Sequence, residues 1–354
     1  MNKRALIAMS GGVDSSVAAY LMKSQGFECT GATMKLFESG GAVYNEKSCC
    51  SLDDAEDARS VAYKLDMPFY VFNFTADFKE QVIARFVKAY QDGATTNPCI
   101  DCNRYLKFDK LFTRARQLDI AYIATGHYAR AEHDGARWLL KKAADSAKDQ
   151  SYVLYSLTQE QLSRIKLPLG GLSKPEVREI AAEQGFLNAN KRDSQDICFV
   201  QDNDYAEFIE QYTGQVCPEG DFIDMQGGII GRHKGLIRYT VGQRKRLGIV
   251  WSEPLYVRSK NTADNSITLC ESDGLYAKSL QAADFNWIAC DTPAAPVRVK
   301  AKIRYAQPEQ WATAEVLSDG TVRVEFDEAQ RAVSRGQAVV LYDDDTVVGG
   351  GTII

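Results

Sequence analysis

The sequence predicts an α/β protein: a doubly wound parallel sheet in the N-terminal part, a smaller middle region, and a β-rich C-terminal part. Three observations lead there. Apolar runs of strand length alternate with helix-period segments from residue 5 to about residue 125, the rhythm of βαβ units. A glycine turn, Ser10-Gly-Gly-Val-Asp-Ser15, joins the first apolar run to the first helical segment. After Asp204 the pattern changes, with frequent glycines, and from about Lys278 short alternating segments take over, as in a small barrel or sandwich.

The elements follow in order. Ala5–Met9 reads as a strand and Val13–Ser24 as a helix, then Cys29–Met34 as a strand. Ala55, Ala58, Val61, Ala62 and Leu65 give Leu52–Leu65 helical spacing, and Phe69–Phe74 is a strong strand. Asp77–Tyr90 and Asn103–Gln117 read as helices, and Ala121–Thr125 as a strand. Ser173 and Glu176 form a capping box that starts a further helix. Val297–Tyr305, Ala312–Val316, Thr321–Phe326 and Ala338–Tyr342 are the C-terminal strands. The polar, glycine-bearing loop Phe37–Cys50 is expected to be mobile.

In a doubly wound sheet, ligands sit at the carboxyl ends of the strands. Ser10–Ser15, Met34 and Gly126-His127 all fall at such ends. Two glycines let backbone N–H groups approach an anion, and the following helix N-terminus adds partial positive charge. The Gly-Lys-Ser/Thr of a Walker loop is absent. Ser-Gly-Gly-x-Asp-Ser resembles instead the PP-loop of ATP pyrophosphatases, which split ATP into AMP and pyrophosphate and adenylylate an oxygen.

Composition narrows the partners. The chain has 354 residues, 45% hydrophobic and 25% charged, too long for one typical core. No apolar run is long enough to span a bilayer and no signal or transit segment precedes the first strand, so a cytoplasmic protein with no membrane partner is expected. A net charge of −5 excludes gross nucleic-acid affinity but leaves room for a local basic face. Gly231-Arg-His-Lys-Gly235 with Gln243-Arg-Lys-Arg246 is the most basic stretch and suits a phosphate backbone.

Nine cysteines in a long chain of this type are not a disulfide scaffold, and three histidines are too few for a multi-histidine metal site. Thr96-Asn-Pro-Cys99-Ile-Asp-Cys102 places Pro98 at a helix start, so Cys102 lies near the first turn, where the dipole favours the thiolate. Cys198 sits in a polar run, Asp193-Ser-Gln-Asp-Ile-Cys198, unlike a packing cysteine. Three uses compete: a zinc site, weakened because Cys49-Cys50 are adjacent; persulfide transfer with a resolving thiol; and a [4Fe–4S] cluster on Cys99, Cys102 and Cys198.

The glycine loop, Asn97-Pro-Cys-Ile-Asp-Cys-Asn103, Thr125-Gly-His-Tyr-Ala-Arg130, Lys148-Asp-Gln-Ser151, Ser194-Gln-Asp-Ile-Cys-Phe199 and Tyr239-Thr-Val-Gly-Gln-Arg-Lys245 occur in this order. Together they resemble the tRNA-specific 2-thiouridylase family over nearly the full length. The resemblance implies a PP-loop ATP pyrophosphatase domain at 1–203, a small central tRNA-binding domain at 204–277 and a C-terminal β-barrel at 278–354. It implies an enzyme that replaces O2 of a wobble uridine with sulfur, using ATP and Mg2+. Its partners would be the anticodon stem-loop of a tRNA and an upstream persulfide carrier, with the free protein a monomer.

Carried over by residue, the resemblance implies that Ala8, Met9, Ser10, Gly11, Gly12, Val13, Asp14 and Ser15 hold the ATP phosphates. Met34 and Gly126 would contact the adenosine. Cys198 would carry the persulfide, and Cys102 would release the sulfur and end disulfide-bonded to it. Asn97, Pro98 and Cys99 would touch the target base. His127, Lys148, Asp149, Gln150, Arg304, Tyr305 and Gln337 would contact tRNA. One departure matters: many members carry Asp where this chain has Cys99, which here completes a Cys-x2-Cys pair and keeps the cluster in play. Another PP-loop ligase or amidotransferase is the remaining alternative. Asp14 is read either as a partner of the metal or as a first-turn acid that complements the helix dipole.

Overall fold

The structure, a computed structural model, describes residues 3–37, 52–191, 197–200 and 204–354. The expected Phe37–Cys50 loop, apart from Phe37, lies outside the described residues, as do Cys49 and Cys50.

The first sheet runs in the order β3-β2-β1-β4-β7, every pair parallel, with β1 Arg4–Ala8, β2 Glu28–Lys35, β3 Phe69–Asn73, β4 Tyr122–Thr125 and β7 Ile165–Lys166. The pleat explains its continuous apolar strands. Ala5 and Ile7 point to one face, where helix α1 (Val13–Ser24) packs Val17, Ala18 and Met22 and helix α2 (Leu52–Lys64) packs Ala58, Val61 and Ala62. Leu6 points to the other face and joins Phe78, Phe86, Leu106 and Phe108. Strand order reverses on either side of β1, so the crevice between the ends of β1 and β4 is the switch point where such folds bind ligands.

The expected helix at Asn103–Gln117 starts earlier, at Pro98. It runs as Pro98–Asp101, a π-helical stretch Cys102–Lys110, and Leu111–Gln117. Wide turns of this kind favour functional sites.

The middle region is a four-stranded sheet, order β10-β11-β8-β9, with β8 Gly220–Ile223, β9 Ile229–His233, β10 Tyr256–Asn261 and β11 Ser266–Cys270. It closes over Phe222, Val257, Ile267 and Leu269.

The C-terminal part is a barrel. β12 Tyr276–Trp287, β15 Val322–Arg331, β14 Gln310–Val316, β13 Val297–Lys302, β16 Ala338–Asp343 and β17 Thr346–Ile353 pair antiparallel in that order, and β12 pairs with β17 to close the ring. Alternate residues, among them Val299, Ala301, Ala312, Ala314, Val322 and Val324, fill the interior. A hairpin from the first part, β5 Ala129–His133 and β6 Trp138–Lys142, extends the outer edge of β17 through the Lys141–Thr346 pair. The alternation of the C-terminal strands does not foreshadow this graft.

Candidate active site

β1 ends at Ala8 and delivers a cradle built from its own polar groups. The Ser10 N–H donates to Ser15 Oγ at 3.2 Å, and Ser15 Oγ donates to the Gly12 carbonyl at 3.0 Å. Ser16 Oγ donates to the same carbonyl at 3.1 Å. Gly11 has φ +74°, and a Cβ there would lie 2.2 Å from the Asp54 carbonyl oxygen. A Cβ on Gly126, after β4, would lie 2.8 Å from both Asp14 C and Ser15 N. Only glycines fit these two places, so backbone walls the site closely, as an anion cradle requires. Val13 and Met9 are buried beneath it, and Ser10 is exposed at its mouth. Met34 is buried at the end of β2.

Asp14 is a first-turn acid of the Val13–Ser24 helix, as one of its two readings has it, and it also has partners of its own. Its carboxylate accepts from Lys174 Nζ at 2.7 and 2.8 Å and from the Tyr128 hydroxyl at 2.8 Å. Lys174 opens the Lys174–Glu183 helix, whose Ser173–Glu176 capping box is present. Two further side chains fasten the loop, Asn188 and Lys191. Asn188 Nδ2 donates to the Gly11 carbonyl and to Ser16 Oγ, both at 2.9 Å. Lys191 Nζ bridges Asp54 and Asp57 at 2.6 Å each. Single-residue inspection misses all of them, because each partner lies more than 110 positions from the other in sequence. The Lys174 position beside a capping box was the one available hint.

The thiol segment is anchored independently. Asn97 caps the helix by accepting the Cys99 N–H at 3.1 Å, and Pro98 occupies the first turn as its sequence position predicts. Cys99 is exposed, while Cys102 and Cys198 are half-buried against one shared apolar cluster. Phe199, next to Cys198, holds the segment by ring contacts with Phe78, Phe86 and Phe208. Among the described residues no three His, Cys, Asp or Glu side chains stand close enough together to hold a metal ion. Cys99, Cys102 and Cys198 therefore do not form a ready-made cluster site in this arrangement.

The residues expected to meet tRNA form a seam between the sheet domain and the barrel. Gln150 exchanges two bonds with the Tyr128 backbone, at 2.9 and 2.8 Å. Asp149 accepts from Ala143 N, Ser151 N and Ser151 Oγ, and its carbonyl accepts the Tyr305 hydroxyl at 3.1 Å. Lys148 is half-buried beside them. Gln337 donates to the Thr95 carbonyl at 2.9 Å, and Thr95 N–H donates to the Arg335 carbonyl at 2.8 Å. Arg304 is committed to the Val241 and Ala332 carbonyls and Ser334 Oγ. Burial pushes its pKa down. Burial, then the charges of Asp149 and Cys99, raises the Tyr305 pKa.

His127 is buried, with Nδ1 2.8 Å from Thr125 Oγ1 and its ring 5.8 Å from that of Phe108 on the thiol helix. Burial, then the charge of Lys107, holds it well below the usual histidine range, so it is neutral near pH 7. Any contact it makes with RNA is that of a neutral imidazole.

Hydrogen bonds and chain neighbours thus link Asp14 through Tyr128, Gln150 and Asp149 to Tyr305. The arrangement brings an anion cradle and two half-buried thiols into one body.

Comparison with known proteins follows the same division. Residues 3–202 match the tRNA methyl transferase HUP domain family, 206–271 the tRNA methyl transferase PRC-barrel domain family, and 277–353 the aminomethyltransferase beta-barrel domain family. The chain is 51% identical over 355 residues to the tRNA-specific 2-thiouridylase MnmA of Clostridioides difficile (strain 630), covering 100% of this chain and 98% of that protein. It is 50% identical to the protein of the same name from Lachnoclostridium phytofermentans, covering 99% of each. The chain belongs to the tRNA-specific 2-thiouridylase family.

Proposed function

We propose that this protein is an ATP-dependent tRNA-uridine 2-sulfurtransferase that makes 2-thiouridine at the wobble position. The observation that supports this reading is the Ser10–Ser15 cradle, walled by backbone at Gly11 and Gly126, in one body with Cys102 and Cys198 on a single apolar cluster.

The chemistry needs both halves. Uracil O2 is a poor leaving group, so it is first adenylylated. O2 bonds to the α phosphorus of ATP, pyrophosphate departs with the bonding pair, and the uracil N3 proton goes to solvent. Ala8 to Ser15 hold the phosphates by backbone N–H groups, with Met34 and Gly126 at the adenosine. Magnesium arrives with ATP and supplies charge neutralisation.

Sulfur then comes from a persulfide on Cys198, loaded by a carrier protein. The Cys102 thiolate attacks Cys198 Sγ, the sulfur–sulfur bond breaks, and the terminal sulfur leaves as hydrosulfide. Hydrosulfide adds to C2 and AMP leaves with the oxygen. A Cys102–Cys198 disulfide remains, which a thiol reductant restores. Asn97, Pro98 and Cys99 face the base, which must leave its stack to reach the cradle. His127, Lys148, Asp149, Gln150, Arg304, Tyr305 and Gln337 form the tRNA-facing seam, with the working parts divided at 1–203, 204–277 and 278–354.

The test is thiolation of an anticodon stem-loop RNA by iron-free protein with a persulfide donor. Equal amounts of AMP and 2-thiouridine are expected. Thiolation that appears only in iron-loaded protein would replace the relay with a cluster on Cys99, Cys102 and Cys198.

A further inference from the structure

The Lys174–Asp14 pair is an inefficient way to stabilise a fold. Lys174 is 7% exposed while Asp14 is only half-buried, and desolvating the ammonium offsets much of what the attraction returns. The helix start does not need it, since Ser173 and Glu176 already satisfy the first turn and Pro175 fits there. The side chain nevertheless turns inward to the one acidic group of the cradle. Its main chain is held from behind, the Lys174 N–H donating to Asp145 Oδ2 at 3.1 Å. Asp14 has a second donor in Tyr128, whose backbone is in turn held by Gln150. If the ammonium shifts its weight to an arriving anion, Asp14 keeps a hydrogen bond. Tyr128 also lends its ring, 5.9 Å from Lys174 Nζ, as a second support for the cation.

We propose that Lys174 is the phosphate-neutralising cation of this cradle, with Asp14 as the positioning residue that stores and aims its ammonium while the site is empty. The proposal rests on the adenylylation reading above. When uracil O2 bonds to the α phosphorus, the bond to the α–β bridging oxygen breaks and its electron pair leaves on pyrophosphate. That oxygen gains negative charge only as the reaction proceeds. A pre-aimed cation beside it acts mainly on the transition state.

The experiment compares Lys174→Met, Asp14→Asn, the double variant and Lys174→Arg in tRNA-dependent pyrophosphate release, with thermal melting of each. Lys174→Met alone leaves Asp14 uncompensated, so its melting point falls. The double variant removes both charges and restores melting. Its rate is nonetheless expected to stay about a hundredfold below wild type, with the loss mainly in kcat, as for removal of one transition-state donor. Asp14→Asn is expected to raise KM for ATP with a smaller loss of kcat, and Lys174→Arg to recover part of the rate. A double variant that regains wild-type pyrophosphate release would overturn the proposal, because the pair would then be mutual compensation alone.

Pyrophosphate binding to the free protein is measured alongside. Weaker binding by the melting-restored double variant supports Lys174 even if wild-type protein releases no pyrophosphate with tRNA, the result that would sink the adenylylation reading instead. Unchanged binding together with an unchanged rate rejects Lys174.

Discussion

Tyr305, in the turn three residues beyond barrel strand β13, donates its hydroxyl to the main-chain carbonyl of Asp149, 156 positions earlier in the chain. The bond ties the barrel to the segment that supports Tyr128 and so Asp14. Tyr305→Phe keeps the ring and removes the bond, and is expected to lower stability by about 1 kcal/mol. Thiolation should fall only about threefold if the hydroxyl merely positions Asp149. Tyr305→Ala also removes the ring that meets Tyr152 at the seam and should lose more in kcat/KM for RNA than for ATP. Steady-state kinetics with each substrate varied separate the two.

Gly126→Ala forces a methyl group against Asp14 C and Ser15 N, where 2.8 Å is available. Backbone must move, at a cost of roughly 1–3 kcal/mol. KM for ATP is expected to rise by about five- to 150-fold, in proportion to that cost. An ATP titration that matches wild type would show that the β4 end does not wall the nucleotide site.

His127 gives a pH signature. Its folded pKa is depressed below the ordinary 6.5, so below pH 6.5 the unfolded chain takes a proton that the folded chain refuses. Stability is therefore full above that pH and is lost as pH falls through it. His127→Asn should flatten this slope in chemical denaturation between pH 7 and 5. His233, lowered in the same direction, leaves a residual slope. Identical slopes in wild type and variant would mean that His127 is protonated in the folded protein.

Cys198→Ser and Cys102→Ser should each abolish 2-thiouridine while AMP formation with RNA continues within a few-fold of wild type, since the cradle is built from Ser10–Ser15 and not from these thiols. Thin-layer separation of labelled AMP and nucleoside analysis of the same sample read both. Full thiolation by Cys198→Ser would remove it from the relay.

What the sequence shows plainly here is local. The Ser10–Ser15 turn, α1, β1 and the Ser173–Glu176 cap are legible because each depends on residues within a few positions. The cradle's supports are not. Lys174 meets Asp14 across 160 positions and Lys191 meets Asp54 across 137, and no spacing rule links them. The Cys102–Lys110 stretch reads as an ordinary helix because a π turn changes the hydrogen-bond step without changing composition. Barrel and sandwich share the same alternation. The difference lies in one strand pairing, β12 with β17 from Ala282–Ile353 to Trp287–Gly349, which closes the ring.

The docking of Thr95 on Arg335 and Gln337 has a consequence for biosynthesis. Thr95 leads into Asn97, Pro98 and the thiol helix, yet its two barrel partners emerge from the ribosome some 240 residues later, Gln337 being 242 positions on. Gln337 is itself held by Ile353, which donates to its carbonyl at 2.8 Å. A nascent chain can thus complete its Ser10–Ser15 cradle long before the support of the helix that follows Pro98 exists. A chain stopped short of Arg335 would retain the groups for spending ATP and lack the brace on the helix that carries Cys102.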